Sequence, residues 1–150
     1  MKSVLASIVC CFGLLPFASV TVASAQDVTR FTCSFVMTYS ETGETLARGT
    51  AYVQGDCYRC DTSDGAMYCD GTDRWIYSSA SDELVIQKND LSMFADLDLG
   101  KIKGSSYTYK YGSFTVSLSS IKPVSAPWSA TFFIPDPDSF SLDTIVTDLR

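Results

Sequence analysis

The stretch CYRCDTSDGAMYCDGTDRWIYSSASDELVIQK, residues 57–88, decides the fold. Short apolar and aromatic runs alternate in it with three clusters of turn residues: Thr62-Ser63-Asp64-Gly65, Asp70-Gly71 and Ser79-Ala80-Ser81-Asp82. Gly tolerates positive φ, and Asp and Ser bond to their own backbone, so such clusters reverse the chain. Links this short join antiparallel neighbours, because a parallel pair needs a crossover of about a dozen residues. The spacing therefore predicts strands at 57–61, 66–70, 74–78 and 83–88.

The pattern continues on both sides. In residues 31–39, Phe31, Cys33, Phe35, Met37 and Tyr39 alternate with Thr32, Ser34 and Thr38, and only Val36 is out of phase. Successive strand side chains point to opposite faces, so one face of this strand is apolar. Thr42-Gly43-Glu44 makes a turn into a second strand at 46–53, where Gly49 permits a bend or a close approach. Gly55-Asp56 ends it. Downstream, Leu91, Phe94 and Ala95 have helical spacing, which predicts a short helix or helical loop over 90–97. Strand pattern resumes at 106–111, where Tyr107, Tyr109 and Tyr111 share a face, and at 114–118. Further strands are expected at 128–134 and 141–148, separated by Pro135-Asp136-Pro137-Asp138. The whole reads as one mainly β domain, a single antiparallel meander that curves or closes.

The first 25 residues are expected outside that domain. Lys2 precedes an apolar run over 4–22, broken by Pro16, and Ala23-Ser24-Ala25 matches a small-x-small cleavage site. This is the pattern of a secretory signal peptide over 1–25, leaving a mature domain over 26–150. The full chain carries 11 Lys plus Arg, 17 Asp plus Glu and no histidine, for a net charge of -6. Removing 1–25 takes away one lysine and no acid, so the mature charge is -7. Without histidine, a Ser-His-Asp triad, a Cys-His pair and an HExxH zinc helix are excluded. The acidic balance argues against nucleic acid as a partner. No Gly-x-Ser-x-Gly elbow is present. The pairs Asp70/Asp73 and Asp136/Asp138 sit in turns, where Asp is favoured for backbone bonding. The expectation is a protein that is not an enzyme and holds no cofactor.

Four cysteines remain after cleavage: Cys33, Cys57, Cys60 and Cys69. A four-thiolate zinc site would want a second C-x2-C, which is absent. In an oxidising compartment disulfides are favoured. Residues three apart in a strand lie roughly 10 Å apart, too far to bridge. A hairpin register with index sum 126 sets Cys57 opposite Cys69, the expected disulfide pair. Cys33 and Cys60 are then expected as buried thiols.

Nine Phe, eight Tyr and two Trp are many for a domain of this size. They fit an ordinary packed core, and equally a concave apolar face under the 90–97 segment. Gly49-Thr50-Ala51-Tyr52-Val53, Tyr58-Arg59, Asp70-Gly71-Thr72-Asp73-Arg74-Trp75-Ile76-Tyr77 and Glu83-Leu84-Val85-Ile86 follow one another in order. With the ending Phe132-Phe133-Ile134-Pro135 and Asp148-Leu149-Arg150, this series resembles the periplasmic outer-membrane lipoprotein carrier family (LolA-like). The resemblance implies an unclosed half β-barrel with a lid. It also implies a periplasmic carrier or chaperone that shelters lipoprotein acyl chains, or a similar apolar ligand, for transfer towards the outer membrane. Implied partners are lipid acyl chains and the inner- and outer-membrane lipoprotein machinery, with the carrier a monomer. Tyr52, Tyr58, Trp75 and Tyr77 stand at the family's signature positions, and Leu91 and Phe94 are lid candidates. The chain departs from the family in lacking an N-terminal amphipathic helix between Gln26 and Phe31. It also has Gly55-Asp56 where the family places an arginine before a proline, and a short stretch over 114–128. The rival expectation is a secreted β-domain with a packed core, binding protein or glycan through Tyr107, Tyr109 and Tyr111. Three buried sixteen-carbon chains at about 0.8 kcal/mol per methylene would sum to about 36 kcal/mol. That exceeds the roughly 18–21 kcal/mol ceiling on affinity, so a carrier should cover its chains only in part.

Overall fold

The computed structural model describes residues 29–89, 93–94, 97, 102 and 104–150. The expected signal peptide, and with it Cys10 and Cys11, lies outside the described residues. Among the described residues nine strands form one sheet: β1 Arg30–Tyr39, β2 Thr45–Gln54, β3 Cys57–Thr62, β4 Gly65–Cys69, β5 Asp73–Ser78, β6 Glu83–Lys88, β7 Tyr107–Tyr111, β8 Phe114–Pro123 and β9 Ile145–Asp148. Their order is β7-β8-β1-β2-β3-β4-β5-β6-β9, and the two ends do not pair. The protein is thus mainly β, an open and curved sheet. The meander from β1 to β6 follows the turn chemistry: β2–β3 and β3–β4 are two-residue hairpins, Gln54 facing Cys57 and Thr62 facing Gly65. Gly55 supplies φ +59° in the first of these turns. Asp70 accepts from the backbone N–H groups of Thr72 and Asp73 at 2.9 and 2.8 Å, which fixes the β4–β5 turn.

Curvature can be read from one contact. β7 and β5 stand six places apart in the sheet, which in a flat sheet is roughly 29 Å. Yet Arg74 Nη1 of β5 donates to the Tyr111 hydroxyl of β7 at 3.4 Å. The sheet has curled until its first and seventh strands meet across the interior. Two glycines allow part of that curl. A Cβ on Gly49 would stand 1.9 Å from the Asp61 carbonyl oxygen, and one on Gly65 would stand 2.0 Å from that of Tyr77. Both positions lie on one register row, Gly49–Thr62–Gly65–Ser78. The close approach expected at Gly49 is therefore present.

The inner face carries the core. Phe31, Cys33, Phe35 and Met37 of β1 are buried, as their alternation requires, and Val36 is exposed. Ala51, Val53, Tyr58, Cys60, Cys69, Val116 and Leu118 complete this face, with Met93 and Phe94 packed over it.

Three expectations are corrected. Residues 128–134 are not a strand, for Ala130–Phe133 form a 3-10 turn. Strand geometry would send Phe132 and Phe133 to opposite sides, whereas the turn brings both into contact with Trp128. The expected strand at 141–148 contracts to β9, because Ser141 and Thr144 turn back to bond the Asp82 carboxylate at 2.8 Å each. Finally the sheet is mixed rather than antiparallel, since β9 pairs β6 in parallel. β9 runs in the same sense as β8, because the connection between them crosses the outer face, where Trp128 and Phe132 pack on Tyr52, instead of turning back as a hairpin.

Candidate functional site

Register decides which residues share the interior, because cross-strand partners lie on one face. One inward row runs Phe31–Val53–Tyr58–Cys69–Arg74–Gln87. The next runs Cys33–Ala51–Cys60–Met67–Ile76–Val85. Between that second row and Met93 is an apolar cavity of about 240 Å³. Phe35, Met37, Ala47, Cys60, Met67, Ile76 and Met93 line it, and Thr62, Gly65 and Ser78 form its outer end. Methionine is flexible and polarisable, so Met37, Met67 and Met93 give the wall an adaptable surface.

Of the expected helical segment at 90–97, Met93, Phe94 and Leu97 are described. The Leu97 N–H donates to the Phe94 carbonyl at 3.2 Å. Phe94 meets the Tyr58 ring edge-on at 5.4 Å and Phe31 at 6.3 Å. The Tyr109 hydroxyl donates to the Met93 carbonyl, which ties this segment to β7. Phe94 therefore packs over Tyr58 on the inner face. Leu91 lies outside the described residues.

The aromatic positions divide between the two faces. Tyr58 is fully buried in the inward row. Burial pushes its hydroxyl pKa well up, so the group stays protonated. Tyr52 and Trp75 belong to the opposite row, Tyr52–Arg59–Tyr68–Trp75–Ile86. They face away from the cavity, and the structure does not bring them to Tyr58. Tyr52 instead packs edge-on against Trp128 and Phe132 of the C-terminal segment. Gln54 holds that segment in place, its amide bonding both the N–H and the carbonyl of Trp128. Tyr77 borders the cavity but is in phase with Trp75, and its side chain faces away, the ring packing on Phe140 and the hydroxyl donating to Asp82 at 3.2 Å. Tyr109 and Tyr111 pack against the core, while Tyr107 is exposed.

The register also corrects the cysteine pairing. Tyr58, not Cys57, stands opposite Cys69, because the hairpin has index sum 127. Cys57 instead pairs with Gln54 across the β2–β3 turn. Cys33, Cys57, Cys60 and Cys69 are all free thiols. Burial pushes Cys33 and Cys69 up to about 11, the latter partly offset by the Gly71 N–H at 3.4 Å. Cys60 is raised further by its complete burial. Thiols held this far from thiolate are poor nucleophiles at neutral pH. Among the described residues, no group of three or more His, Cys, Asp or Glu is placed to hold a metal ion.

One interior group was missed by sequence reasoning. Arg74 donates to the Tyr111 hydroxyl at 3.4 Å and to the Gln87 side-chain oxygen at 3.0 Å, while the Tyr58 hydroxyl in the same row donates to Asn89 Oδ1 at 3.5 Å. Cys69 separates Tyr58 from Arg74 in that row. The available signal was Arg74 in phase with Ile76 in the 74–78 strand. The chain matches no protein-family model and no curated protein sequence.

Proposed function

We propose that this protein is an exported, non-enzymatic carrier or chaperone that shelters an acyl chain in its concave apolar face. The lipoprotein cargo, the periplasmic location and the hand-over between inner- and outer-membrane machinery come from the resemblance of residues 49–88. The observation that carries the reading is the cavity of about 240 Å³ under Met93, walled by apolar side chains inside an open sheet. A cavity of about 150 Å³ holds a six-carbon ring, so this one takes on the order of ten carbons. That is part of one acyl chain. Partial cover suits a carrier that must release its load, since each methylene left in water forgoes about 0.8 kcal/mol.

Native mass spectrometry of the protein purified without detergent tests the proposal, together with titration by a fluorescent fatty acid. Co-purifying lipid or saturable probe binding is expected. An empty protein that ignores the probe refutes the carrier. A second reading, a β-domain that docks a protein partner, is favoured by the exposed apolar side chains Leu142, Ile145, Val146 and Leu149 around β9.

A further inference from the structure

β9 closes one side of the sheet, and half of its backbone polar groups face outward. The Ile145 N–H donates to the Asp82 carbonyl at 2.9 Å and the Leu149 N–H to the Ile86 carbonyl at 2.7 Å. Alternate residues of a strand address opposite neighbours, so Val146 and Asp148 turn their N–H and C=O groups away from β6. Among the described residues no strand pairs with them there. Edges are ordinarily blunted by charge, proline or a bulge. The opposite edge, β7, carries the exposed Lys110. β9 instead reads Ile-Val-Thr-Asp, and Ile145, Val146, Leu149 and the nearby Leu142 are all exposed. Ser141 and Thr144 bond Asp82 at one end of the strand and Arg150 bonds Asp73 at the other, so the edge is preformed. The two ends differ in charge. Lys88 and Arg150 offset Asp73 and Asp148 at the C-terminal end. At the N-terminal end the Asp82 and Glu83 carboxylates bond to hydroxyls of Tyr77, Ser141, Thr144 and Thr147. Asp143 lies in the same turn, and among the described residues no cation pairs with any of these three acids.

We propose that the outer edge of β9 takes up an extended segment of another protein as an added strand. The segment is apolar along its length and ends in a Lys or Arg beside Asp82, Glu83 and Asp143. This rests on the reading of a docked protein partner, not on the carrier, and names that partner's chemistry. Main-chain bonds to Val146 and Asp148 hold the segment, while Leu142, Ile145, Val146 and Leu149 select its apolar side chains. A second copy of this chain is the poorer occupant. Two acidic chains, each of mature net charge -7, repel one another. A four-residue edge paired with itself also falls well short of the roughly 800 Å² per partner of a stable interface. One strand added from a basic partner makes a weak, reversible contact in which the charges attract.

Fluorescence anisotropy of the purified protein with labelled peptides tests this. The probes are Lys-Val-Thr-Val-Thr-Val, the same peptide with Glu in place of Lys, and the lysine peptide N-methylated at its Val and Thr amides. The lysine peptide should bind saturably, about five- to tenfold more tightly than the glutamate one, the scale of an exposed ion pair exchanged for a repulsion. Asp143→Lys should narrow that preference to about one. Val146→Pro removes an outward N–H and leaves the bonds to β6 in place. It should weaken binding at least about tenfold, and more than Val146→Ala, which keeps the N–H. If Val146→Pro costs no more than Val146→Ala, strand addition is overturned and docking on the apolar side chains still stands. Should Val146→Pro not fold, the methylated peptide replaces it, and binding that survives methylation overturns strand addition. Equal binding of the lysine and glutamate peptides overturns the basic end. If neither peptide binds, the proposal fails together with the docked-partner reading, while the fatty-acid probe tests the carrier separately. Dimers in sedimentation that Val146→Pro dissociates would make a second copy the occupant and overturn the proposal.

Discussion

Replacing Gly49 by alanine tests the reasoning about curvature most directly. The added Cβ would sit 1.9 Å from the Asp61 carbonyl oxygen and 3.1 Å from the Thr62 Cα. Ordinary contact is about 3.4 Å, so the β2 and β3 backbones must separate by more than about 1 Å. Overpacking on that scale costs about 1–3 kcal/mol. The ladder bonds beside Gly49–Thr62 stretch with it, at about 1 kcal/mol each. Together about 3–5 kcal/mol is expected, a large share of the 5–15 kcal/mol typical of a domain. Gly43→Ala is the control. Gly43 has φ +72° with nothing within 4 Å of a built Cβ, so only backbone strain of about 1–2 kcal/mol applies. Urea unfolding followed by the fluorescence of Trp75 and Trp128 measures both variants. If Gly49→Ala costs no more than Gly43→Ala, the close approach of β2 to β3 does not shape the sheet and the account is wrong.

Three further outcomes are expected. Ala47→Phe places a ring in the cavity beside Met37, and should weaken fatty-acid probe binding at least about tenfold while unfolding stays cooperative. Titration with an aromatic disulfide reagent at pH 8 should modify the half-exposed Cys57 first, with Cys33, Cys60 and Cys69 reacting only after denaturation. In a chain of residues 26–150, a total of two thiols in the unfolded, unreduced state would contradict the free-thiol arrangement. Bonds from the Arg150 side chain and backbone N–H hold Asp148 down at about 2, below its unfolded value near 3.9. Its contribution is therefore complete above about pH 4 and lost as the pH falls through about 2. An acid titration should show Asp148→Asn losing that limb.

Much of this fold was legible because β1 to β6 follow local rules. The apolar face of 31–39 emerged as the buried side of β1, and each turn cluster in 57–88 became a hairpin. What stayed hidden is non-local. Period-2 alternation groups Tyr52, Trp75 and Tyr77 on one face and Tyr58, Arg74 and Ile76 on the other. It does not say which face encloses a cavity, and here both are apolar enough to be covered. The C-terminal aromatics read as a strand because Phe132-Phe133-Ile134 fits one. Their 3-10 turn follows from Trp128 and Tyr52, which belong to distant parts of the chain. The contact of Arg74 with Tyr111 was invisible for the same reason, since the two meet across 37 residues only once the sheet has curled. A hairpin register one residue off was enough to pair the wrong cysteine with Cys69.

The parallel docking of β9 sets an order of assembly. Glu83 to Ile86 meet Ile145 to Asp148, about sixty residues later in the chain, whereas every hairpin from β1 to β6 closes over a handful. Closing the longer loop costs more entropy and is rewarded last. Until then β6 presents a row of unsatisfied amides, the kind of edge along which chains associate. The latch of Asp82 with Ser141 and Thr144, and the clasp of Arg150 on Asp73, thus guard against self-association as much as they stabilise the finished sheet. A chain that stops short of Ile145 should keep its pocket-forming hairpins and lose its solubility.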